Sequence, residues 1–465
     1  MKHDYSFAPA LRYLCMALLA MLSLEGCALK PVPSERLRQQ ALQHVATPAH
    51  WHSNQSAAGT VRNDWLASFA DPQLEKLVSE ALAYNTDLRV AAARVEQAAG
   101  YVKAAGAPLR PDLSVIGHTG GKSGGDGGLD IGLLRATWEL DVWGRIRAGR
   151  QAAVEQYASA ENDFNYARQS LAAMVARSWY AATETWLQRQ LAEDMVRATQ
   201  DLVNLAKDRQ RVGAGDARDV AIAQASLHTA QDSVRQLDQS YTQALRALEL
   251  LLGRYPVAEI QVRRDLPTTL PPVPVGLPSE LLERRPDVIA AERRVAAAFN
   301  LVQEAKAARL PSISLTAGAS WVSSELLVLK NRDNPKGSWG VSLLAPLYRG
   351  GELQAQVEIR TAEQKQAVAA YGGVALTAFG DVEDALTGEF ILGQRKPLLA
   401  AVVQDNEQAL TLSDTQYRVG KIDLRGVKLQ QLDLYQARMQ LLRLQSEQLA
   451  QRVNLYLALG GGFNG

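Results

Sequence analysis

The residues that come nearest to binding chemistry are Gly117-His118-Thr119-Gly120-Gly121-Lys122-Ser123. A phosphate-cradling loop needs four residues between its first glycine and Gly-Lys-Ser, and a helix behind it whose amides face the anion. Here the spacing is one residue short and Gly124-Gly125-Asp126-Gly127-Gly128 follows, so residues 120–128 read as a flexible surface loop. The histidines His3, His44, His50, His52, His118 and His228 do not fall at metal-ligand spacing with acids or cysteine, apart from His50-Trp51-His52, which lies in a segment without a scaffold. There is no Gly-x-Ser-x-Gly, and no carboxylate pair stands beside a candidate nucleophile. The chain therefore reads as something other than an enzyme, with no metal and no cofactor.

Lys and Arg total 50 against 49 Asp and Glu, so no basic face is available to neutralise a nucleic-acid backbone. The one position with a covalent chemistry is Cys27. A weakly basic start (Lys2, Arg12) precedes an apolar run over residues 14–24, too short to cross ~30 Å of hydrocarbon. The run ends in Leu24-Glu25-Gly26-Cys27, which resembles a bacterial lipobox; Glu25 departs from that pattern. Residues 1–26 are then a lipoprotein signal peptide and Cys27 carries the lipid. Cys15 would leave with the signal, so an internal disulfide is excluded. No other segment is apolar for ~18 residues, so any membrane crossing must be made by strands.

The elements that would position such a chain are given by an internal repeat. Residues 87–114 match 287–314 without a gap at Asp87/Asp287, Ala91/Ala291, Arg94/Arg294, Val95/Val295, Ala98/Ala298, Val102/Val302, Ala107/Ala307, Pro111/Pro311 and Ser114/Ser314. The echo continues from Arg211-Val212-Gly213 to Arg418-Val419-Gly420 and closes at Leu252-Gly253 and Leu459-Gly460. This gives an extended tether over 27–62, a first repeat over 63–265, a proline-rich joint over 266–278 (LPTTLPPVPVGLP) that neither helix nor central strand tolerates, and a second repeat over 279–465.

Within the first repeat, Asp71-Pro72 caps and opens a helix expected to continue to about Ala107. From Arg145 to about Val212 there is no proline and apolar positions keep three-four spacing, which predicts a rod of ~100 Å. It turns at Gly213-Ala214-Gly215-Asp216 into a returning helix. The second repeat copies this plan: a helix over residues 279 to about 309, a rod from about 353 to 419, and a return from Asp423 to Gly460. Gly372, Gly373, Gly380 and Gly388 predict bends or close helix contacts in the second rod.

Each repeat also holds two period-two segments, at 111–119 and 129–141 and at 311–321 and 338–347. In the second pair small polar residues alternate with apolar ones; in the first, Arg135, Glu139 and Asp141 intrude on the alternation. About ten residues is the length of a tilted membrane strand, and Trp321 and Trp339 flank the loop where an aromatic belt at the outer interface would lie. Four strands cannot close a barrel, and lipid does not tolerate an open sheet edge, so copies of the chain must pool their strands. Three copies would supply twelve. The two Arg-Val-Gly tips lie where helices turn back, at the end farthest from the strands.

These features resemble the outer-membrane factor family of TolC-like channels, and in particular the lipoprotein branch that works with resistance-nodulation-division efflux pumps. The resemblance is carried by Trp65 with Phe69-Ala70-Asp71-Pro72, Asn85-Thr86-Asp87-Leu88, Leu140-Asp141-Val142-Trp143-Gly144-Arg145, Leu281-Leu282-Glu283-Arg284-Arg285-Pro286-Asp287, Ala291-Glu292-Arg293-Arg294, and Asn454-Leu455 with Ala458-Leu459-Gly460-Gly461. It implies a mixed α+β membrane protein: a homotrimer sharing a twelve-stranded outer-membrane β-barrel, a periplasmic α-helical coiled-coil tunnel and an equatorial belt. It also implies a passive exit duct that passes drugs or other toxic compounds from an inner-membrane pump through a periplasmic adaptor.

By the same resemblance the adaptor docks on Arg211, Val212, Gly213, Arg418, Val419 and Gly420. The periplasmic gate falls to Tyr417, Asp423, Arg425 and Asp433, with Asp423 and Arg425 forming ion pairs; where relatives carry a constricting aspartate twelve residues after the tyrosine, this chain has Leu429. Two other readings stay open on sequence: an exit duct for type I protein secretion, and a pore-free periplasmic adaptor or coiled-coil lipoprotein.

Overall fold

A computed structural model describes residues 39–43, 50–53, 61, 63–122, 125–268, 270–324 and 336–462. The signal segment, Cys27 and most of the expected tether lie outside the described residues. The helices are α1 (Pro72–Tyr84), α2 (Thr86–Gly106), α3 (Arg145–Arg211), α4 (Ala217–Leu251), α5 (Pro278–Arg284), α6 (Pro286–Ala307), α7 (Glu352–Arg418) and α8 (Leu424–Ala458). The strands are β1 (Asp112–Lys122), β2 (Gly125–Leu140), β3 (Ser312–Ser324) and β4 (Lys336–Leu344). No helix among the described residues is long and apolar enough to cross a membrane. The chain divides into two compact units, one of residues 1–43, 97–159 and 292–371, the other of residues 44–96, 160–291 and 372–465.

The first unit holds one antiparallel sheet in the order β1-β2-β3-β4, with β1 and β4 as its edges. The corner from β2 into α3 explains the Leu140 to Arg145 motif. Asp141 caps α3 by accepting from the Ile146 and Arg147 amides at 2.9 Å each, Gly144 takes φ +75, and the Trp143 indole donates to the Pro311 carbonyl at 2.7 Å. Arg145 grips both Glu139 oxygens at 2.9 Å. The glycine-rich stretch expected as a loop over 120–128 is largely strand: Gly120 pairs with Leu129 and Gly121 with Gly128. A ladder uses only backbone groups, so glycine can extend it where no side chain has to pack.

The second unit is built on aromatic packing. Trp65, Phe69, Tyr180 and Tyr456 are buried, with Trp65 stacked on Tyr456 at 5.7 Å and Phe69 against Tyr180 at 5.6 Å. Asp71 caps α1 by accepting from the Gln73 and Leu74 amides and also accepts from the Trp179 indole at 2.9 Å. The helix expected from Asp71 to Ala107 is two helices. Asn85, with ψ 130, ends α1 and accepts from the Leu88 amide at 3.0 Å, so it starts α2. The counterpart expected over residues 279–309 likewise splits at Arg285-Pro286, because proline disfavours helical backbone in the residue before it.

The long rod α7 runs as one helix through 67 residues with Pro397 inside it, and of the bends or close contacts expected at its glycines a close contact is found at Gly388. At Gly388 an added Cβ would lie 2.6 Å from Gln451 Nε2. Gly373 and Gly380 have open space. The repeat ends in Leu-Gly for a steric reason. Gly253 and Gly460 take φ +73 and +66, and an added Cβ would lie 2.6 Å from the Tyr84 carbonyl oxygen and 3.1 Å from Arg285 Cα.

The described part of the expected tether is docked. Trp51 is buried, donates its indole N–H to the Gly276 carbonyl and packs on Phe379. Glu383 of α7 accepts from the His52 amide (2.9 Å), the Ser53 amide (3.0 Å) and the Ser53 hydroxyl (2.7 Å). His50-Trp51-His52 therefore has a scaffold, and its role there is packing.

Candidate functional site

Two regions carry the sequence-predicted functional residues: the sheet of the first unit and the helical tips of the second. In a ladder, side chains alternate across the sheet and direct partners share a face. Trp339 pairs with Ala317, Ala317 with Ala136 and Ala136 with Leu113. The same face carries Val115, Leu134, Trp138, Leu140, Ile313, Leu315, Val341 and Leu343, so it is apolar across all four strands. Leu113, Val115, Trp339, Val341 and Leu343 are each more than 60% exposed, which leaves this apolar face without protein cover.

The opposite face carries Asp112, Ser114, Ile116, Leu133, Arg135, Thr137, Glu139, Ser312, Ser314, Thr316, Gly318, Ser320, Lys336, Ser338, Gly340, Ser342 and Leu344, so small and polar residues predominate on it without filling it. Arg135 and Glu139, expected to interrupt the alternation, instead keep it: the register puts both on this mostly small and polar face. Trp321 pairs with Gly132 whereas Trp339 pairs with Ala317. Four residues along β3 is about 13 Å, so the two tryptophans do not lie at one level of the sheet and do not form the single outer belt expected of them. The side chain of Trp321 lies outside the described residues.

The two tips are near copies. Gly213 and Gly420 take φ +75 and +78, and each tip closes with a six-to-one bond, Ala214 N to Arg209 O and Lys421 N to Gln416 O, both 2.8 Å. Left-handed glycine with this bond satisfies the last helical carbonyls. Asp216 and Asp423 then cap the returning helices through the Asp219 amide (2.9 Å) and the Gly426 amide (3.0 Å). Val212 and Val419 are 72% and 67% exposed; Arg211 and Arg418 are exposed and paired only within their own helices, to Asp208 and Asp414.

Within one chain the four expected gate residues do not gather into one cluster. Tyr417 is 1% exposed and sits in a cluster with Leu202, Val203, Ala206, Ala223, Leu227, Leu424 and Val427 that joins the two hairpins. Its hydroxyl has no hydrogen-bond partner among the described residues, and burial pushes its pKa up. The Arg209 guanidinium lies 4.6 Å over its ring and donates to the Tyr417 carbonyl at 2.9 Å and to the Ala214 carbonyl at 3.1 Å. Asp423 is occupied as a cap. Arg425 and Asp433 are exposed, and among the described residues no Asp423–Arg425 ion pair forms. The expected pairing is therefore absent within one chain, because Asp423 turns to the Gly426 amide.

Sequence reasoning missed Arg209, whose repeat counterpart is Gln416, just as Tyr417 faces Gln210 across the repeat. The mismatch was the available signal. It also missed the role of Arg285. This side chain, 4% exposed, donates to Asp287 (2.9 and 3.1 Å), to Asp381 (2.6 Å) and to the Ala378 carbonyl (3.4 Å). Arg284 beside it donates to the Val61 carbonyl and Asn63. The Arg-Arg-Pro-Asp run thus ties α6 and α7 to residues 61–63.

Comparison with known proteins bears on the whole chain. Residues 77–254 and 277–461 match the family described as "Outer membrane efflux protein". The pyoverdine export outer membrane protein OpmQ of Pseudomonas putida is 32% identical over 97% of this chain and 98% of its own length. The toluene efflux pump outer membrane protein TtgC of Pseudomonas putida is 30% identical over 97% of this chain and 95% of its own. The open-state structure of the Neisseria gonorrhoeae MtrE outer membrane channel superposes with a TM-score of 0.78 at 28% identity, covering 90% of this chain and 96% of that one.

Proposed function

The chain belongs to the outer membrane efflux protein family, and from that premise we propose that three copies form one exit duct for small molecules in the outer membrane. Membership makes it an efflux channel protein and not an enzyme, and excludes the pore-free adaptor reading.

The observation that carries the trimer is the sheet of four strands. One face is apolar across every strand and exposed, the other is mostly small and polar, and among the described residues both edges, β1 and β4, are unpaired. In hydrocarbon each unpaired backbone group costs several kcal/mol, so an isolated four-stranded sheet cannot persist there. Pairing β4 of one copy with β1 of the next, three times, closes a twelve-stranded cylinder with the apolar face to lipid and the polar face to a water-filled lumen. The long helices α3, α4, α7 and α8 form the periplasmic tunnel. Cys27 carries a lipid that holds the N-terminus to the membrane.

The exposed tips Arg211-Val212-Gly213 and Arg418-Val419-Gly420 receive a periplasmic adaptor, which connects the duct to an inner-membrane resistance-nodulation-division pump. The gate is built between copies: Asp423, Arg425 and Asp433 are exposed and have no salt bridge among the described residues, which leaves them for neighbours around the axis. Tyr417 supports them as packing. The duct's cargo spans several classes among relatives, whose names record pyoverdine and toluene; the pump selects.

Light scattering of the full-length protein in mild detergent tests the assembly, with three chains per particle expected and a single chain refuting it. A deletion strain should become more sensitive to antibiotics, solvents or metal ions and recover on complementation. Unchanged susceptibility across such a panel would refute the efflux role.

A further inference from the structure

Arg135 is an unpaired cation in the middle of the sheet. It pairs in register with Ser114 on one side and Gly318 on the other, and Gly318 pairs in turn with Ser338. Its neighbours along β2 on the same face are Leu133 and Thr137. Its in-register and along-strand neighbours on that face, Ser114, Gly318, Leu133 and Thr137, are all uncharged. The side chain is exposed and makes no hydrogen bond or ion pair among the described residues.

The other described charges of that face do not neutralise it. Glu139 is held by Arg145 at 2.9 Å through both its oxygens. Asp112 stands at the first residue of β1, opposite Thr137, and forms no ion pair with Arg135. Arginine keeps its charge at every physiological pH. A charge on the opposite, apolar face would be destabilising in lipid, whereas a charge on the lumen face tunes what passes.

We propose that Arg135 is the charge-selecting residue of the barrel lumen, where three copies form a ring of guanidinium groups that favours anions over cations. The inference rests on the trimeric barrel proposed above. The barrel wall is a low-dielectric surface whose positions next to Arg135, Ser114, Leu133, Thr137 and Gly318, are uncharged, so the field of the ring is focused into the lumen instead of being cancelled at the wall. Small anionic solutes, such as carboxylates and other acids, are the class of cargo such a ring admits most readily. A potential of order one kT at the ring is enough to alter the ratio of anion to cation passage several-fold.

The test is a reversal-potential measurement on the full-length protein in planar bilayers under a KCl gradient, comparing the natural chain with Arg135→Ser and Arg135→Lys. Arg135→Ser is expected to lower the chloride-to-potassium permeability ratio at least about three-fold, while Arg135→Lys, which keeps the charge, stays near the natural ratio. Conducting Arg135→Ser channels with an unchanged reversal potential would overturn the assignment while leaving the duct intact. An Arg135→Lys channel that behaves like Arg135→Ser would also overturn it, since charge would not be the determinant. If light scattering shows a single chain per particle, the shared barrel itself is refuted and the inference falls with it.

Discussion

Replacing Arg285 by methionine isolates the hub that the Arg-Arg-Pro-Asp run builds. Methionine keeps most of the apolar stem in place, so the change removes the guanidinium with little loss of packing. The lost contacts are two to Asp287, one to Asp381 and one to the Ala378 carbonyl. Breaking a buried ion pair from one side costs about 3–5 kcal/mol, because the partner is left charged and unpaired. Here the partners recover part of that. Asp381 is 44% exposed and regains water, and Asp287 is 20% exposed and still accepts from the Val288 amide at the start of α6. The expected loss is therefore near the low end, about 3 kcal/mol.

Thermal unfolding of the detergent-solubilised protein, followed by far-ultraviolet circular dichroism, reads this loss. Asp381→Asn alone should cost under about 1 kcal/mol, since that carboxylate is largely solvated. The double variant Arg285→Met with Asp381→Asn should lose less than the sum, because both changes remove one shared pair. If Arg285→Met lies within about 0.5 kcal/mol of the natural protein, or the two losses add, the hub reading is wrong.

Two further outcomes follow from buried groups. The Tyr417 hydroxyl has no partner among the described residues, so Tyr417→Phe should be neutral within about 0.5 kcal/mol and leave conductance unchanged, while Tyr417→Ala should cost about 3–5 kcal/mol through the cavity it opens; a Tyr417→Phe channel that conducts more would return the hydroxyl to the gate. At Glu383 burial favours the neutral acid, but hydrogen bonds from Ser53 and the His52 amide outweigh it and hold the pKa below its ordinary 4.5. A carboxylate with a lowered folded pKa contributes stability above its unfolded value and loses it as pH falls through the folded one. Amide-exchange protection at residues 52 and 53 should thus be full at neutral pH and disappear in acid below 4.5; Glu383→Gln should weaken it already at neutral pH, and protection that Glu383→Gln leaves untouched would refute the clamp.

The sequence made the helices and strands legible because both are periodic and this chain repeats its plan. Proline-free three-four spacing gave α3, and strict alternation gave β3. What it hid was set by single atoms across long separations. The break at Asn85 depends on a side-chain amide that bonds the Leu88 amide and the Leu251 carbonyl, and helical spacing runs straight through it. The docking of Trp51, His52 and Ser53 depends on residues more than two hundred positions away, at Gly276 and Glu383. In the first strand pair Arg135 and Glu139 fall on the polar face with the serines once the register is fixed, while Ile116 and Leu133 share that face and weaken the alternation.

The repeat itself sorts structural residues from functional ones. Where the halves agree, the reason is backbone geometry common to both: Gly213 and Gly420 turn a helix at positive φ, and Gly253 and Gly460 let a helix end pass another backbone where no Cβ fits. Where they disagree, one half has acquired a contact the other lacks. Arg209 over Tyr417 faces Gln416 and Gln210, and the ion-pair hub at Arg285 stands where the first half has Asn85. The divergence at these positions is what makes the two hairpins inequivalent, so a duct assembled from three chains has alternating, not uniform, tips around its mouth. An adaptor that binds Arg211-Val212-Gly213 and Arg418-Val419-Gly420 meets two different supports beneath the same exposed motif.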